Sequence, residues 1–354
     1  MSAKKTSIFK KHKSIWLTTL ALVLVLIVAA GFKIYEDVFA SNINLNDQEK
    51  GYVFIYTNQS FDENMERLEQ SGLLKNTAAF KRLAKLTGYH DMFKPGRYEV
   101  TNQTNNLELL RLIVSGRQVP IDVVFKYAQR KTDLVQFWST QLEADSNELY
   151  SLLNDSAFCD SLGFTPENVL SMFMPNTYNL YWTTSAKKLV YKMHQEYNTF
   201  WNQARLTKLE ALHLTRNEVS TLAAIVQKET YRTDEMPVVA GAYLNRLRKG
   251  MPLQADPTLI YAMNDNSIKR VGGAMLEVES PYNTYKYKGL PPGPICTPSA
   301  KAIDAVLNYS KHNYIYFCAK EDFSGYHNFA SNFGQHQVNA RKYQRELNKR
   351  GVHK

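Results

Sequence analysis

The chain lacks the loops that handle phosphates and nucleotides. It has no GxxxxGK(S/T) segment, no GxGxxG turn and no GxSxG elbow. Phosphoryl transfer, dinucleotide binding and elbow-serine hydrolysis therefore have no support. Cysteine is scarce too: three residues in 354, Cys159, Cys296 and Cys318. An odd number without CxxC spacing excludes a disulfide framework. Buried free thiols are the default reading, with one Cys296 to Cys318 bridge as the alternative in an oxidising compartment. No internal repeat and no low-complexity tract is present, so neither a repeat array nor a biased tail is expected. Acidic residues are the minority charge, 33 against 43 Lys and Arg, for a formal net charge of +10. Part of the excess is an N-terminal lysine cluster and part lies in an expected C-terminal helix, Lys342 to Lys354. No nucleic-acid motif accompanies it, so nucleic acid is not an expected partner. Attraction to anionic lipid head groups or an anionic wall polymer accounts for the charge as well.

Long hydrophobic runs are missing, with one exception. Ile15 to Phe32 is uncharged and long enough to cross a bilayer. Lys4, Lys5, Lys10, Lys11 and Lys13 precede it. Positive flanks stay in the cytoplasm. Residues 1–14 are thus expected as a basic cytoplasmic tail, 15–32 as a single transmembrane helix, and the bulk of the chain on the outer side. A cleaved signal peptide is the rival, since Val28-Ala29-Ala30 offers small residues. The run is long for a signal segment and passes into Phe32-Lys33 without a break, which favours the retained anchor. The remainder, roughly 300 residues, suits a substantial core and two domains.

Residues 33–48 are polar and mixed and read as a spacer. Val53 to Tyr56 reads as a strand. Ser60 and Glu63 have capping-box spacing and open a helix that Gly72 ends. A second helix is expected over Thr77 to Leu86, closed by Gly88. Lys94-Pro95-Gly96 turns into the strand Arg97 to Val100. Leu107, Leu110 and Ile113 line a short helix stopping near Gly116. This is a small α+β module over 49–118. Ile121 to Phe125 opens the larger unit, 119–354, which is mostly helical from Thr132 to Leu214 and interrupted at Met174 to Tyr178. Pro237 to Lys249 is a helix with proline in its first turn and Gly250 beyond its end. Ser280 to Pro298 is too rich in proline and glycine for regular structure. Such a loop is often functional; a passive surface connection is the alternative. Ser299 to Tyr309 reads as an amphipathic helix and Tyr314 to Cys318 as a strand. The fold class is α+β: a membrane helix, a small α+β subdomain and a larger mixed α/β domain.

The segment Leu222 to Thr230 carries the most chemistry. Thr215 and Glu218 have capping-box spacing, so a helix starts there. Val219, Leu222, Ile225 and Val226 fall on one face. Glu229 follows at helical spacing and shares that face, while Gln227 and Lys228 point elsewhere. A carboxyl group on an apolar face has its charged form disfavoured, which lets it donate a proton near neutral pH. The alternative is a glutamate at a helix end turned to solvent. Asp256, in Leu253-Gln254-Ala255-Asp256-Pro257-Thr258, either opens a helix or contacts substrate. His327 and His336 bracket Phe329 and Phe333 near Glu321 and Asp322, but the spacing matches no zinc signature, so no metal or other cofactor is expected.

Several segments, in order, resemble the MltG/YceG-like family of endolytic murein transglycosylases. They are Leu222 to Thr230, Ala240 to Leu247, Leu253 to Thr258, Ser280 to Tyr285, Gly289 to Ile295, and Gly325 to Phe329. The N-terminal anchor also fits, and residues 50–117, including Lys94-Pro95-Gly96-Arg97-Tyr98, are similar to the family's LysM-like subdomain. The likeness covers nearly the whole chain. Many members carry glutamate where this chain has Gln227, which leaves Glu229 as the single carboxylate of its motif. Leu170 to Tyr178 departs from the usual pattern, which begins Glu-Gly and has aspartate before Thr-Tyr.

The resemblance implies a lyase of the peptidoglycan lytic transglycosylase type. It would cut the β-1,4 bond between N-acetylmuramic acid and N-acetylglucosamine and leave 1,6-anhydro ends. It implies Glu229 as the catalytic residue. Gln254, Asp256, Tyr282, Asn283 and His327 are candidates for holding sugar and acetamido groups, with Gly289 to Ile295 as a wall of the groove. The implied setting is the periplasmic side of the inner membrane, on nascent glycan strands beside peptidoglycan synthases (penicillin-binding proteins). Two rivals stand against it. One is a lysozyme-type hydrolase with Asp256 or Asp234 as second carboxylate. The other is a non-catalytic wall-binding scaffold.

Overall fold

Side-chain caps start most of the described α-helices of this chain. In the computed structural model, which describes residues 3–268 and 270–350, α1 (Ala3–Phe39) is the first element. Its stretch Trp16–Phe39 has mean hydropathy 2.4 and none of it is buried. Among the described residues it is the single helix long and apolar enough to cross a membrane. It runs past the expected end at Phe32. Met1 and Ser2 of the basic tail, and residues 351–354 of the expected C-terminal helix, lie outside the described residues.

The chain forms two compact units, residues 1–121 with 179–183, and 122–178 with 184–354. In the first, β1 (Gly51–Ile55), α2 (Phe61–Ser71), α3 (Thr77–Leu86), β2 (Gly96–Val100) and α4 (Asn106–Ser115) follow α1. Ser60–Glu63 and Asn105–Glu108 form capping boxes on α2 and α4. The strands pair antiparallel, Gly51 opposite Val100 and Ile55 opposite Gly96. Alternate residues of both strands face a core that includes Val53, Ile55, Phe80, Tyr98 and Ile113. The Tyr98 hydroxyl satisfies itself inside that core by donating to Lys94 O at 2.6 Å.

The expected spacer 33–48 is corrected by the structure. Lys33 to Phe39 stays helical, and Asp37 holds Arg82 of α3 at 2.7 Å. Ile43 and Leu45 are buried, with isolated bridges joining Ser41 to Asn105 and Ile43 to Leu74. Two apolar residues two apart are too short a pattern to register as a strand among polar neighbours. The return of 179–183 was equally hidden. Trp182 packs edge-on to Phe54 and Tyr56 at centroid distances of 4.8 and 4.9 Å.

The chain passes into the second unit at β3 (Ile121–Phe125). Helices α5 (Lys131–Gln141), α6 (Ser146–Leu152) and α7 (Ser156–Ser161), then β4 (Asn176–Leu180), α8 (Ala186–Phe200) and α9 (Gln203–Leu212), lead to the centre of this unit. That centre is α10 (Arg216–Glu229), every residue of which from Val219 to Val226 is buried. Around it pack α11 (Met236–Arg248), α12 (Asp256–Met263) and α13 (Ala300–Leu307). The small Ala223 and Ala224 let these neighbours approach. The hairpin β5 (Tyr316–Ala319) and β6 (His327–Ala330) follows, then the surface helix α14 (Phe333–Lys349).

The irregular loop expected over Ser280 to Pro298 is irregular and tightly held. A Cβ at Gly293 would lie 1.9 Å from Glu167 O, so only glycine admits that approach. All three cysteines are free thiols, Cys159 and Cys296 buried and Cys318 half-buried in β5, so the alternative Cys296 to Cys318 bridge is not formed.

Candidate active site

Glu229 is the last residue of α10, where Thr230 turns to extended backbone. Leu222, Ile225 and Val226 are fully buried on the same helix. Glu229 continues that face but opens on one side into a cleft of about 420 Å³. Its carboxyl is pushed up to about 7, chiefly by loss of solvent. The Tyr243 hydroxyl, which donates to Oε1, opposes that rise, and the charge of Asp256 adds to it. Gln227 and Lys228 do point elsewhere. Gln227 Nε2 donates to Thr297 O at 3.3 Å and its Oε1 accepts from Ser299 N at 2.8 Å. An amide does both; a glutamate there has no proton for the carbonyl. Lys228 reaches the Tyr127 hydroxyl at 3.3 Å.

Four of the six residues singled out in sequence meet in this cleft: Glu229, Gln254, Asp256 and His327. Gln254 has left-handed backbone, φ 53°, and its side-chain oxygen accepts from Arg246. Asp256 is exposed at the first turn of α12 and accepts from the Tyr285 hydroxyl. His327, at the start of β6, presents its ring beside Phe317, edge-on at 5.3 Å.

Tyr282 and Asn283 are not in the cleft lining. Tyr282 lies tilted against Tyr261, ring centroids 4.8 Å apart, and Tyr261 lines a different cavity. Asn283 is fully buried and its amide is spent on the loop. It donates to Leu276 O and Val278 O at 2.8 and 2.9 Å and accepts from Tyr285 N at 3.0 Å. With Thr284, whose hydroxyl accepts from Ala255 N at 3.0 Å, it pins the loop against the start of α12. Tyr285 and Asp256 meet because of that pinning.

Sequence reasoning gave no role to Tyr243, Arg246, Glu235 or Tyr285. For the first two a signal existed. Val239, Tyr243 and Arg246 recur at helical spacing on α11, a polar-tipped stripe on a buried helix, as Glu229 is on α10. Arg246 is buried and holds Pro252 O and Ile315 O at 2.9 Å. Glu235 gave no signal: a glutamate before a helix reads as a favourable charge at the positive end of the dipole. Among the described residues no cluster of His, Cys, Asp and Glu has the makings of a metal site. Chemically, the cleft offers one carboxyl that is substantially protonated at neutral pH, a second carboxylate, and aromatic walls. That is the equipment of acid-catalysed bond cleavage in a polar, ring-shaped substrate.

Comparison with known proteins places the chain in a family. A sequence profile described as the YceG-like family matches residues 53–342. Over 340 residues the chain is 26% identical to a Streptococcus pneumoniae protein named endolytic murein transglycosylase, covering 87% of this chain and 61% of that one. The chain thus spans about three-fifths of the length of this pneumococcal relative. A Bacillus subtilis protein of the same name is 25% identical over 271 residues, covering 72% of this chain and 74% of its own length. A crystal structure of a yceG-like protein from Listeria monocytogenes superposes with a TM-score of 0.54 at 25% identity, over 82% of this chain and 99% of that one. With the family profile covering most of its length and the motifs around Glu229 in order, the chain belongs to the YceG-like family.

Proposed function

We propose that the protein is an endolytic peptidoglycan lytic transglycosylase. One observation carries the reading: a carboxyl group pushed up to about 7 stands in an open cleft with a phenol fixing one of its oxygens. Half-protonated at neutral pH, Glu229 has a proton to give to the departing glycosidic oxygen. The muramic C6 hydroxyl then closes onto C1 to form the 1,6-anhydro ring. The family resemblance assigns the hydroxyl's proton to the same carboxylate. No water is consumed, so a second carboxylate is not required. Gln254, Asp256, Tyr285 and His327 line the cleft as contacts for sugar and acetamido groups. Tyr282 and Asn283 shape the loop beside it.

The names of the pneumococcal and Bacillus relatives support this activity for a chain that shares their family. In this reading α1 is a retained single-pass anchor of the inner membrane, with the catalytic unit on the periplasmic side. The β1–α2–α3–β2 module is a LysM-like glycan contact. The substrate is nascent strand, met beside penicillin-binding proteins.

The nearness of Asp256 to Glu229 favours a second reading, hydrolysis with paired carboxylates. Digestion of purified peptidoglycan by the detergent-solubilised chain, with product masses, separates the two. Anhydro ends, absent with Glu229→Gln, are expected. Reducing ends favour hydrolysis. Equal cleavage by both proteins removes Glu229 from the reaction. Binding without cleavage favours a scaffold.

A further inference from the structure

Exposed apolar side chains of the first unit gather at the end of α3. Leu86 closes that helix and is 85% exposed. Gly88, with φ 69°, leads into a single 3-10 turn, Tyr89–Met92, in which Met92 is 52% exposed and Tyr89 36%. Among the described residues 40–121, these three are the exposed large hydrophobic side chains. The next residue, Phe93, folds inward, its ring centroid 5.2 Å from that of Phe61 and 6.0 Å from that of Phe80. Phe93 fastens the tip from within, so Leu86, Tyr89 and Met92 are not needed for the core.

The place of the tip follows from how α3 meets α1. Asn76, the cap that starts α3, is tied to Asn42, just beyond α1. Asn76 N donates to Asn42 Oδ1 at 2.7 Å, and Asn42 Nδ2 donates to Asn76 O at 3.0 Å. Further along α3, Arg82 lies 2.7 Å from Asp37. As α3 advances, its partners move backward along the chain toward the apolar helix. The two helices therefore run antiparallel, and α3 points back along α1. Leu86 lies one turn, about 6 Å, beyond Arg82, and Lys33 about 6 Å before Asp37. Leu86 thus reaches the level of Lys33. Lys33 is the first charge after the uncharged stretch Ile15 to Phe32. At the helical rise that stretch is about 27 Å long, close to the roughly 30 Å of a bilayer's hydrocarbon. No slack separates this boundary from the unit. α1 stays helical to Phe39, and Asn106 of α4 donates to Asp37 O at 2.7 Å.

We propose that the Leu86–Met92 tip is a second membrane contact, its apolar side chains seated in the lipid interface beside α1. This rests on reading α1 as a membrane anchor. Leucine and methionine bury apolar surface in such an interface, and a tyrosine ring suits the head-group level. Lys85 and Asp91, both exposed at the tip, offset each other in charge. The attraction is therefore apolar and does not need anionic lipid. A span by itself leaves tilt to its surroundings; a second contact to one side fixes the tilt of the first unit on the bilayer.

The test uses the full chain in phosphatidylcholine vesicles, with a nitroxide on one introduced cysteine and Cys318→Ser removing the half-buried native thiol. Leu86→Cys reports the tip. Gln103→Cys, exposed in the turn whose Thr104 O accepts from Asn42 N, reports the opposite end of α3. Leu24→Cys reports α1. Each label's accessibility to oxygen, which concentrates in lipid, is compared with that to a water-soluble nickel chelate. The oxygen-to-nickel ratio at Leu86 is expected to be at least about threefold that at Gln103, with the label within roughly 10 Å of the bilayer surface. Met92→Cys should report likewise, and so should vesicles in which phosphatidylglycerol replaces part of the phosphatidylcholine. Equal ratios at Leu86 and Gln103, with the Leu24 label in lipid, overturn the proposal and leave the anchor standing. A Leu24 label open to the nickel chelate overturns both. Contact of the tip with anionic vesicles only overturns the proposal too, because charge and not apolar burial would then seat it.

Discussion

The two units differ in which polar groups they bury. In the first, the buried polar side chains are amides, and each closes on backbone or on another amide. Asn42 donates to Asn76 O at 3.0 Å and to Asn106 Oδ1 at 2.7 Å, and accepts from Asn76 N at 2.7 Å. Asn106 passes the chain on to Asp37 O at 2.7 Å, and Asn64 accepts from Tyr56 N at 2.8 Å. The second unit also buries neutral groups, Asn283 and Thr284 among them, and adds ionisable ones. Glu229, Tyr243, Arg246 and Glu235 are packed on most sides and meet one cleft directly or through His327. A closed neutral network contributes stability and has nothing left to exchange. An ionisable group with one open side carries a raised or lowered proton affinity that a substrate can use. The difference separates a module that holds shape from a unit that does chemistry.

The largest effect expected from breaking this contrast is at Glu229. Glu229→Gln should lower kcat about a thousandfold or more while the fold persists by circular dichroism. The same change should show the cost of the site. Because the folded chain holds this proton up to about 7, against 4.5 ordinarily, the stability linked to it is complete below 4.5. It is lost as pH rises through about 7, by on the order of 3 kcal/mol. The variant should therefore melt above wild type in alkaline buffer and lose that advantage near pH 4. Equal melting temperatures across the range would contradict a buried acid.

Asn42→Ala should do the reverse. Leaving Asn76 N–H and Asn106 without their partner should cost about 2 kcal/mol, read as faster hydrogen exchange at the amides of β1 and β2, with kcat unchanged. Tyr243→Phe sharpens the second half of the comparison. It removes the hydrogen bond that favours charged Glu229, so the alkaline limb of kcat should move to higher pH, with an activity loss of about tenfold. Asp256→Asn should give the smallest change, a shift of the same limb to lower pH, because the charge that raises Glu229 is gone. Limbs moving in the same direction in these two variants would mean that Glu229 does not set the profile.

Much of the scaffold was legible in the sequence. Thr215–Glu218 and Ser60–Glu63 start helices as capping boxes, Gly72 and Gly116 end α2 and α4 with φ of 65° and 71°, and Pro237 sits in the first turn of α11. Glu229 follows the apolar face that its spacing assigns. Other features were hidden for physical reasons. Ile43 and Leu45 were too few to show a period. Trp182 returns to the first unit from a point far along the chain. Asn283 looked like a substrate contact because a polar side chain in a proline-rich loop gives no sign of which way it turns. It turned inward to satisfy Leu276 O and Val278 O.

The sequence by itself determined the helices, the loop, the apolar first helix and the position of one carboxyl on an apolar face. Each rests on residues within a turn or two of one another, where caps, spacing and backbone freedom act. Only the tertiary structure decided the company that carboxyl keeps. Tyr243 comes from the next helix to hold it, and Glu235 reaches His327 across 92 residues to orient a second group toward the same cleft. Those pairings depend on how α10, α11 and the β5–β6 hairpin pack, and packing is a property of surfaces brought together from distant parts of the chain, which no local pattern encodes.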